Sequence, residues 1–194
     1  MSLKERTYSV LVVSASDSFS SSLMTLLPEA LYSPVRTVKS ISAARRAALE
    51  RDYDFVMINS PLPDDPGLRF AIDTCAVKSS AVLLFARSDI HADIYGKVVD
   101  SGVFTLPRPT SVQSMTQALE WMASTRERLR RFEKKTLSIE EKMAEIRIVN
   151  RAKWLLISEL KMSEPGAHRY IEKQAMDRCV SKREIAEEII KTYS

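Results

Sequence analysis

The chain has 194 residues, 45% of them apolar and 28% charged, which is enough for a folded core plus a second small module. No run approaches the roughly 18 uncharged apolar residues of a membrane span, and Met1–Arg6 is not followed by a signal-type apolar segment, so a cytoplasmic protein with no membrane partner is expected. Charge is unevenly divided: residues 1–120 carry 12 Lys and Arg against 13 Asp and Glu, a net of −1, while residues 121–194 carry 17 against 12, a net of +5. That asymmetry points to an anionic partner for the second half, or to no more than a solvated helical surface.

In chain order, Ser9–Ser14 has the continuous apolar centre of a strand buried on both faces. Asp17 is read as the cap of a helix running to about Leu27. Val35–Val38 is a short strand, Ser42–Arg51 a helix, and Asp54–Asn59 another buried strand followed by a rigid Ser-Pro-Leu-Pro-Asp-Asp-Pro-Gly loop. Leu68–Val77 reads as a helix, Ala81–Phe85 as a strand, Ile90–Asp100 as a helix, and Val103–Leu106 as a strand ending at Pro107. Alternating units of this length predict an α/β doubly wound parallel sheet. A helix begins near Thr110, and no strand pattern follows.

Beyond it, apolar residues recur at Met122, Leu129, Phe132, Ile139, Met143 and Ile146, with Thr125 and Thr136 in the two gaps. This heptad seam favours a coiled-coil homodimer; the alternative is packing on the chain's own domain, and Ser138–Glu141 could cap a fresh helix. The last 50 residues divide into three helices. The first ends near Lys161-Met162, the second opens at Ser163-Glu164-Pro165 and runs to about Cys179, and the third is opened by the capping box Ser181–Glu184. Domains are therefore expected at 1–123 and 141–194, joined by a helical linker at 124–140.

Cys75 and Cys179 lie far apart and outside any CxxC or Cys/His cluster, and His91 and His168 are isolated. They read as ordinary side chains rather than a metal or redox site. No catalytic set, metal or cofactor is expected, and the chain is expected not to be an enzyme.

The strand order, the segment Asp52–Gly67 and the strand-loop Val103–Pro109 resemble, over roughly residues 7–123, the receiver domains of bacterial response regulators, which share the flavodoxin/CheY-like fold. In that family two acids after the first strand hold a divalent cation, an aspartate ending the third strand takes the phosphoryl group, and a hydroxyl and a lysine after the fourth and fifth strands contact its oxygens. Here Ser14 and Ala15 stand where the acids are expected, followed by Ser16. Asn59 replaces the acceptor, Phe85 the hydroxyl and Arg108 the lysine before Pro109. An amide cannot form an acyl phosphate. Asp54 lies on the wrong side of the strand, which leaves Asp64 and Asp65 as the candidate replacement acceptors. Asn59 and Arg108 read either as a neutral residue and a solvated cation without a role, or as parts of a pocket with a different use.

Residues 141–193 resemble an ANTAR domain, the three-helix RNA-binding output module of transcription antitermination regulators. The resemblance rests on Asn150–Leu156, Lys161–Glu164, Ala167–Ile171, Lys173–Asp177 and Ile185-Ala186, and Trp154 departs from it, standing where the family often has a small residue. Ala152, Ala167, Ala175 and Ala186 would let the helices pack closely around Leu155, Leu156, Leu160, Ile171, Met176, Ile185 and Ile189, with Ile157 at the edge. Candidate RNA contacts are Arg147, Arg151, Lys153, Lys161, Arg169, Lys173, Arg178, Lys182 and Arg183, with Tyr170 and His168 as possible stacking partners. The resemblance implies a pair of leader-transcript hairpins as the target. The receiver-like half would then serve dimerisation or the docking of a regulatory protein. A DNA-binding helix-turn-helix is the alternative, disfavoured by the missing Gly at Cys179-Val180. A protein-interaction module is the third reading.

Overall fold

The computed structural model describes residues 7–77 and 79–193; the Met1–Arg6 segment read above lies outside them. The chain divides into two compact units, one up to Arg131 and one from Phe132 onward. No helix among the described residues is long and apolar enough to cross a membrane.

The first unit is a five-stranded parallel sheet of β1 (Tyr8–Val13), β2 (Tyr32–Val38), β3 (Phe55–Asn59), β4 (Ala81–Arg87) and β5 (Phe104–Arg108), in the order β2-β1-β3-β4-β5. The three central strands are buried on both faces, as their unbroken apolar runs require. Alternation along β1 sends Leu11 and Val13 to one face and Val10 and Val12 to the other. The first face is covered by α2 (Ile41–Glu50), α3 (Leu68–Val77) and α4 (His91–Val98), through residues such as Ala44, Phe70 and Val98. The second is covered by α1 (Asp17–Met24) and the start of α5 (Val112–Leu160).

Both edge strands are longer than their patterns suggest and contain a proline, Pro34 in β2 and Pro107 in β5. An edge strand tolerates the lost donor, so proline ends neither. One cap differs from expectation: Ser16, not Asp17, caps α1 by accepting the Phe19 N–H. Ser40 caps α2 by accepting the Ala43 N–H.

Helix α5 runs unbroken for 49 residues, so Ser138–Glu141 does not start a new helix. Its first turns bury Met115, Ala118, Leu119 and Met122 against the sheet, an i, i+3, i+4, i+7 stripe. Met122 is 0% exposed. It therefore belongs to the core of the first unit and cannot serve a dimer seam; a heptad pattern and a sheet-facing stripe coincide there. Leu129 is half-buried, whereas Phe132, Ile139, Met143 and Ile146 are exposed.

A polar clasp holds α5 at the opposite end of the sheet from the pocket read above. Asp54, just before β3, is 13% exposed in its side chain and accepts from Arg126 Nε (2.8 Å) and from an Arg130 terminal nitrogen (2.7 Å). Ser9 N–H and Oγ donate to its other oxygen at 3.0 and 3.1 Å. Arg130 also lies 5.4 Å from the Tyr8 ring centroid and pairs with Glu127. Burial works to raise the pKa of Asp54, but the Ser9 N–H and the two guanidinium groups outweigh it and hold the carboxyl below the ordinary aspartate range.

The second unit packs the end of α5 against α6 (Glu164–Arg178) and α7 (Lys182–Tyr193). Ala152, Leu156, Ala167, Ile171, Ala175, Ile185, Ala186 and Ile189 form its core, with Leu155 and Ile157 at the margin. Leu160 and Met176, expected in this core, are exposed. Leu160 is the last residue of α5, and Met176 follows the buried Ala175 onto the outer face of α6. The α6–α7 turn forms without glycine: Cys179 adopts the left-handed conformation (φ 54°, ψ 38°), and the Val180 N–H reaches back to the Ala175 carbonyl at 3.0 Å. A tight turn between α6 and α7 therefore needs no glycine here, and the missing Gly does not disfavour a helix-turn-helix.

Asp54→Asn is expected to lower unfolding stability at pH 7 by about 2–4 kcal/mol, since it removes the carboxylate shared by two partly buried arginines. Because the Asp54 pKa is depressed in the fold, its contribution is complete above the ordinary aspartate range and disappears as the pH falls through the folded value. Denaturant unfolding of both proteins between pH 7 and pH 3 should show the difference shrinking in acid.

Candidate functional site

Two places carry the residues singled out by sequence. The first is the crevice at the carboxyl ends of β1 and β3, where the strand order reverses and where open α/β sheets place ligands. Ser14 follows β1 and is fully buried; Asn59 ends β3 and is 4% exposed. Asn59 Nδ2 donates to Ser14 Oγ at 3.0 Å, Ser14 Oγ donates to the Ser16 carbonyl at 3.2 Å, and Ser16 N–H donates back to Ser14 Oγ at 3.1 Å. The site of the expected acids is thus closed by a neutral chain of hydrogen bonds. Asn59 Oδ1 is buried without a partner among the described residues. Ala15 faces outward and supplies no polar group.

Phe85 pairs in register with Asn59 but is fully buried in the core, edge-on to Phe19 at 5.0 Å between ring centroids. Arg108 is not the solvated cation of the simpler reading. It is half-buried, a terminal nitrogen donates to the Ser60 carbonyl beside Asn59, and its Nε is buried without a partner among the described residues. Burial and the nearby Arg87 both lower its pKa.

The two acids of the β3–α3 loop have structural work. Asp64 accepts the Ile41 and Ser42 N–H groups and the Ser42 hydroxyl, each at 2.9 Å, so it holds the N-terminus of α2. Those donors, led by Ser42 N–H, depress its pKa to about 2. Asp65 accepts the Gly67 N–H at 2.6 Å, and Gly67 has φ +83° at a point where a Cβ would meet Ile58 at 2.9 Å. No cluster of three or more metal-ligating acids, histidines or cysteines occurs among the described residues.

The second place is the surface of the three-helix unit. Four of the nine candidate RNA-contacting cations are paired with acids of the same unit: Lys153 with Glu164 (2.8 Å), Arg178 with Glu188 (2.5 Å), Lys182 with Glu172 (2.5 Å) and Arg183 with Glu187 (2.8 Å). The other five, Arg147, Arg151, Lys161, Arg169 and Lys173, are exposed and lack a carboxylate partner among the described residues. Arg147, Arg151 and Trp154 recur at i, i+4 and i+7 along α5 and so share a face. Trp154 is 73% exposed, so its departure from a small residue changes the surface and leaves the packing alone. Tyr170 is exposed rather than core, and His168 lies 3.3 Å from Glu172.

With this geometry in place, residues 138–190 match the ANTAR domain family. The chain carries an ANTAR domain behind a receiver-like domain. It is 26% identical over 140 residues to the transcriptional regulatory protein PdtaR of Mycobacterium tuberculosis, covering 72% of this chain and 68% of that protein. The fold resembles the signal receiver domain of an HD domain-containing protein from Pseudomonas fluorescens Pf-5, with a TM-score of 0.59, 19% identity, and coverage of 68% of this chain and 96% of that one. It also resembles a CheY-like receiver domain from Methylobacillus flagellatus, with a TM-score of 0.52, 23% identity, and coverage of 60% and 98%. A receiver-like fold followed by an ANTAR domain is the arrangement on which the reading of this chain's function rests.

The hydrogen bonds to Asp64 predict a carboxyl that titrates near pH 2. A carbon-detected NMR titration should find that midpoint in the native protein. Asp64→Asn should lower the melting temperature at pH 7, and the deficit should shrink as the pH falls from the ordinary aspartate range towards 2, because the depressed carboxyl stabilises only while ionised.

Proposed function

We propose that this chain is a cytoplasmic, non-enzymatic regulator of transcription antitermination whose ANTAR domain binds hairpins in a leader transcript. The observation that carries the reading is the set of five exposed, unpaired cations on a domain matching the ANTAR family, with Trp154 on the same α5 face as two of them. Arg147 and Arg151 on α5 and Arg169 and Lys173 on α6 supply phosphate contacts, and Trp154 offers a ring on which an unpaired loop base can stack. The paired cations Lys153, Arg178, Lys182 and Arg183 contribute less, because each must first give up its own carboxylate.

In this reading the receiver-like domain works without phosphorylation, as a dimerisation or docking module. A buried amide at the acceptor position and the engagement of Asp64 and Asp65 in the loop support it. Dimerisation would use the exposed part of the seam, Phe132, Ile139, Met143 and Ile146, with Leu129 at its start. Two linked ANTAR domains would bind paired hairpins with raised effective concentration. The left-handed turn at Cys179 keeps DNA binding as the second reading, since α6 and α7 have the connection a helix-turn-helix uses.

Titration of the full chain against a hairpin RNA and a DNA duplex of equal charge separates the two, and equal affinity would sink the RNA reading. Arg151→Gln and Lys173→Gln should each reduce the slope of log affinity against log salt by about 0.7–0.9. Trp154→Ala should weaken hairpin binding by about 1–3 kcal/mol with the salt slope unchanged. Incubation with acetyl phosphate and magnesium should leave the intact mass unchanged, and a stoichiometric phosphoryl adduct on an aspartate would refute the unphosphorylated reading.

A further inference from the structure

A cleft of about 450 Å³ opens in the receiver-like domain between α1 and the junction of β5 with α5. We infer that it binds a small amphipathic monocarboxylate, whose carboxylate pairs with Arg108 and whose apolar body lies against Phe19, Leu23, Leu26 and Met115. The site is independent of the RNA reading and adjoins the closed acceptor crevice, with which it shares Arg108.

Three observations define the ligand. The volume falls in the range of small-molecule sites, and the walls are built mainly from apolar side chains of α1 and the first turn of α5. No acidic side chain lines the cleft, and Arg108 is its sole charged lining residue. Arg108 also lacks a carboxylate partner: its terminal nitrogen donates to the uncharged Ser60 carbonyl, and its Nε–H is unmatched among the described residues. A half-buried guanidinium whose hydrogen bond goes to a neutral carbonyl, and whose charged neighbour Arg87 is another cation, is an incomplete ion pair, and a planar carboxylate matches its fork. Strongly hydrated phosphate fits worse, because one cation and an apolar wall would not replace its water. The N-terminal end of α5 is capped by Ser111, which accepts the Ser114 N–H at 3.0 Å, and it adds a favourable potential for the anion. A ligand held there touches the first turn of the helix that continues into the ANTAR domain, giving the receiver-like domain an input that requires no phosphoryl transfer.

The test uses the full chain labelled at its methionine methyl groups, with octanoate and 3-phenylpropanoate as probes below any micelle concentration. Octylammonium and octanol serve as matched controls. The expected result is a saturable shift of the Met115 methyl signal with either carboxylate, at least tenfold weaker binding of octanol, and no binding of octylammonium. Arg108→Gln should weaken carboxylate binding at least tenfold, Arg108→Lys should retain part of it, and Leu26→Trp should abolish it by filling the cleft. The melting temperature of each variant reports folding, and if Arg108→Gln does not fold, Arg108→Lys and the octanol control carry the decision. Octanol binding as tightly as octanoate, unchanged carboxylate affinity in a folded Arg108 variant, or failure of both carboxylates to give a saturable shift would each overturn the proposal.

Discussion

Asp54 joins three parts of the receiver-like domain that lie far apart in sequence. Its carboxylate takes the Ser9 N–H and hydroxyl at the start of β1, then the guanidinium groups of Arg126 and Arg130 on α5. The apolar stripe of Met115, Ala118, Leu119 and Met122 lays the helix on the sheet, but apolar contact is non-directional and sets rotation weakly. Two charge-assisted hydrogen bonds one turn beyond that stripe fix which face of α5 meets the protein and which stays outside.

The crevice that serves phosphoryl transfer in the receiver family has been rebuilt from neutral or engaged groups. Asn59 donates to Ser14, Asp64 is committed to the amides of α2, and Arg108 donates to a backbone carbonyl. Each replacement is individually modest, but together they remove the negative charge that would gather a cation and leave one positive charge uncompensated. An anion in the neighbouring cleft would supply the carboxylate that Arg108 lacks among the described residues.

Much of the fold could be read from local pattern. The unbroken runs of β1, β3 and β4 report burial on both faces, and Leu68–Val77 was bounded correctly by its own periodicity. The edge strands were read short because proline is a weak stop when its missing donor faces solvent. Met122 was assigned to the seam because a helix laid on a sheet and a helix in a coiled coil repeat their apolar positions alike over two turns. The Asp54 clasp was invisible, since its partners lie 72 and 76 residues away and only folding reveals the distance. Of the basic residues, composition could count cations but not tell Arg151, which stands open, from Arg178, which is held by Glu188.

Phe85 gives the altered crevice a kind of permanence. The sequence places it near the position where the receiver family has a hydroxyl, and it is fully buried and packed edge-on to Phe19. Returning a threonine to that position would empty the space of an aromatic ring, at a cost of about 3–5 kcal/mol, comparable to much of a domain's net stability. Hydrophobic packing thus acts as a lock: a hydroxyl at this position would require compensating changes in the core around Phe19 before it could be of use.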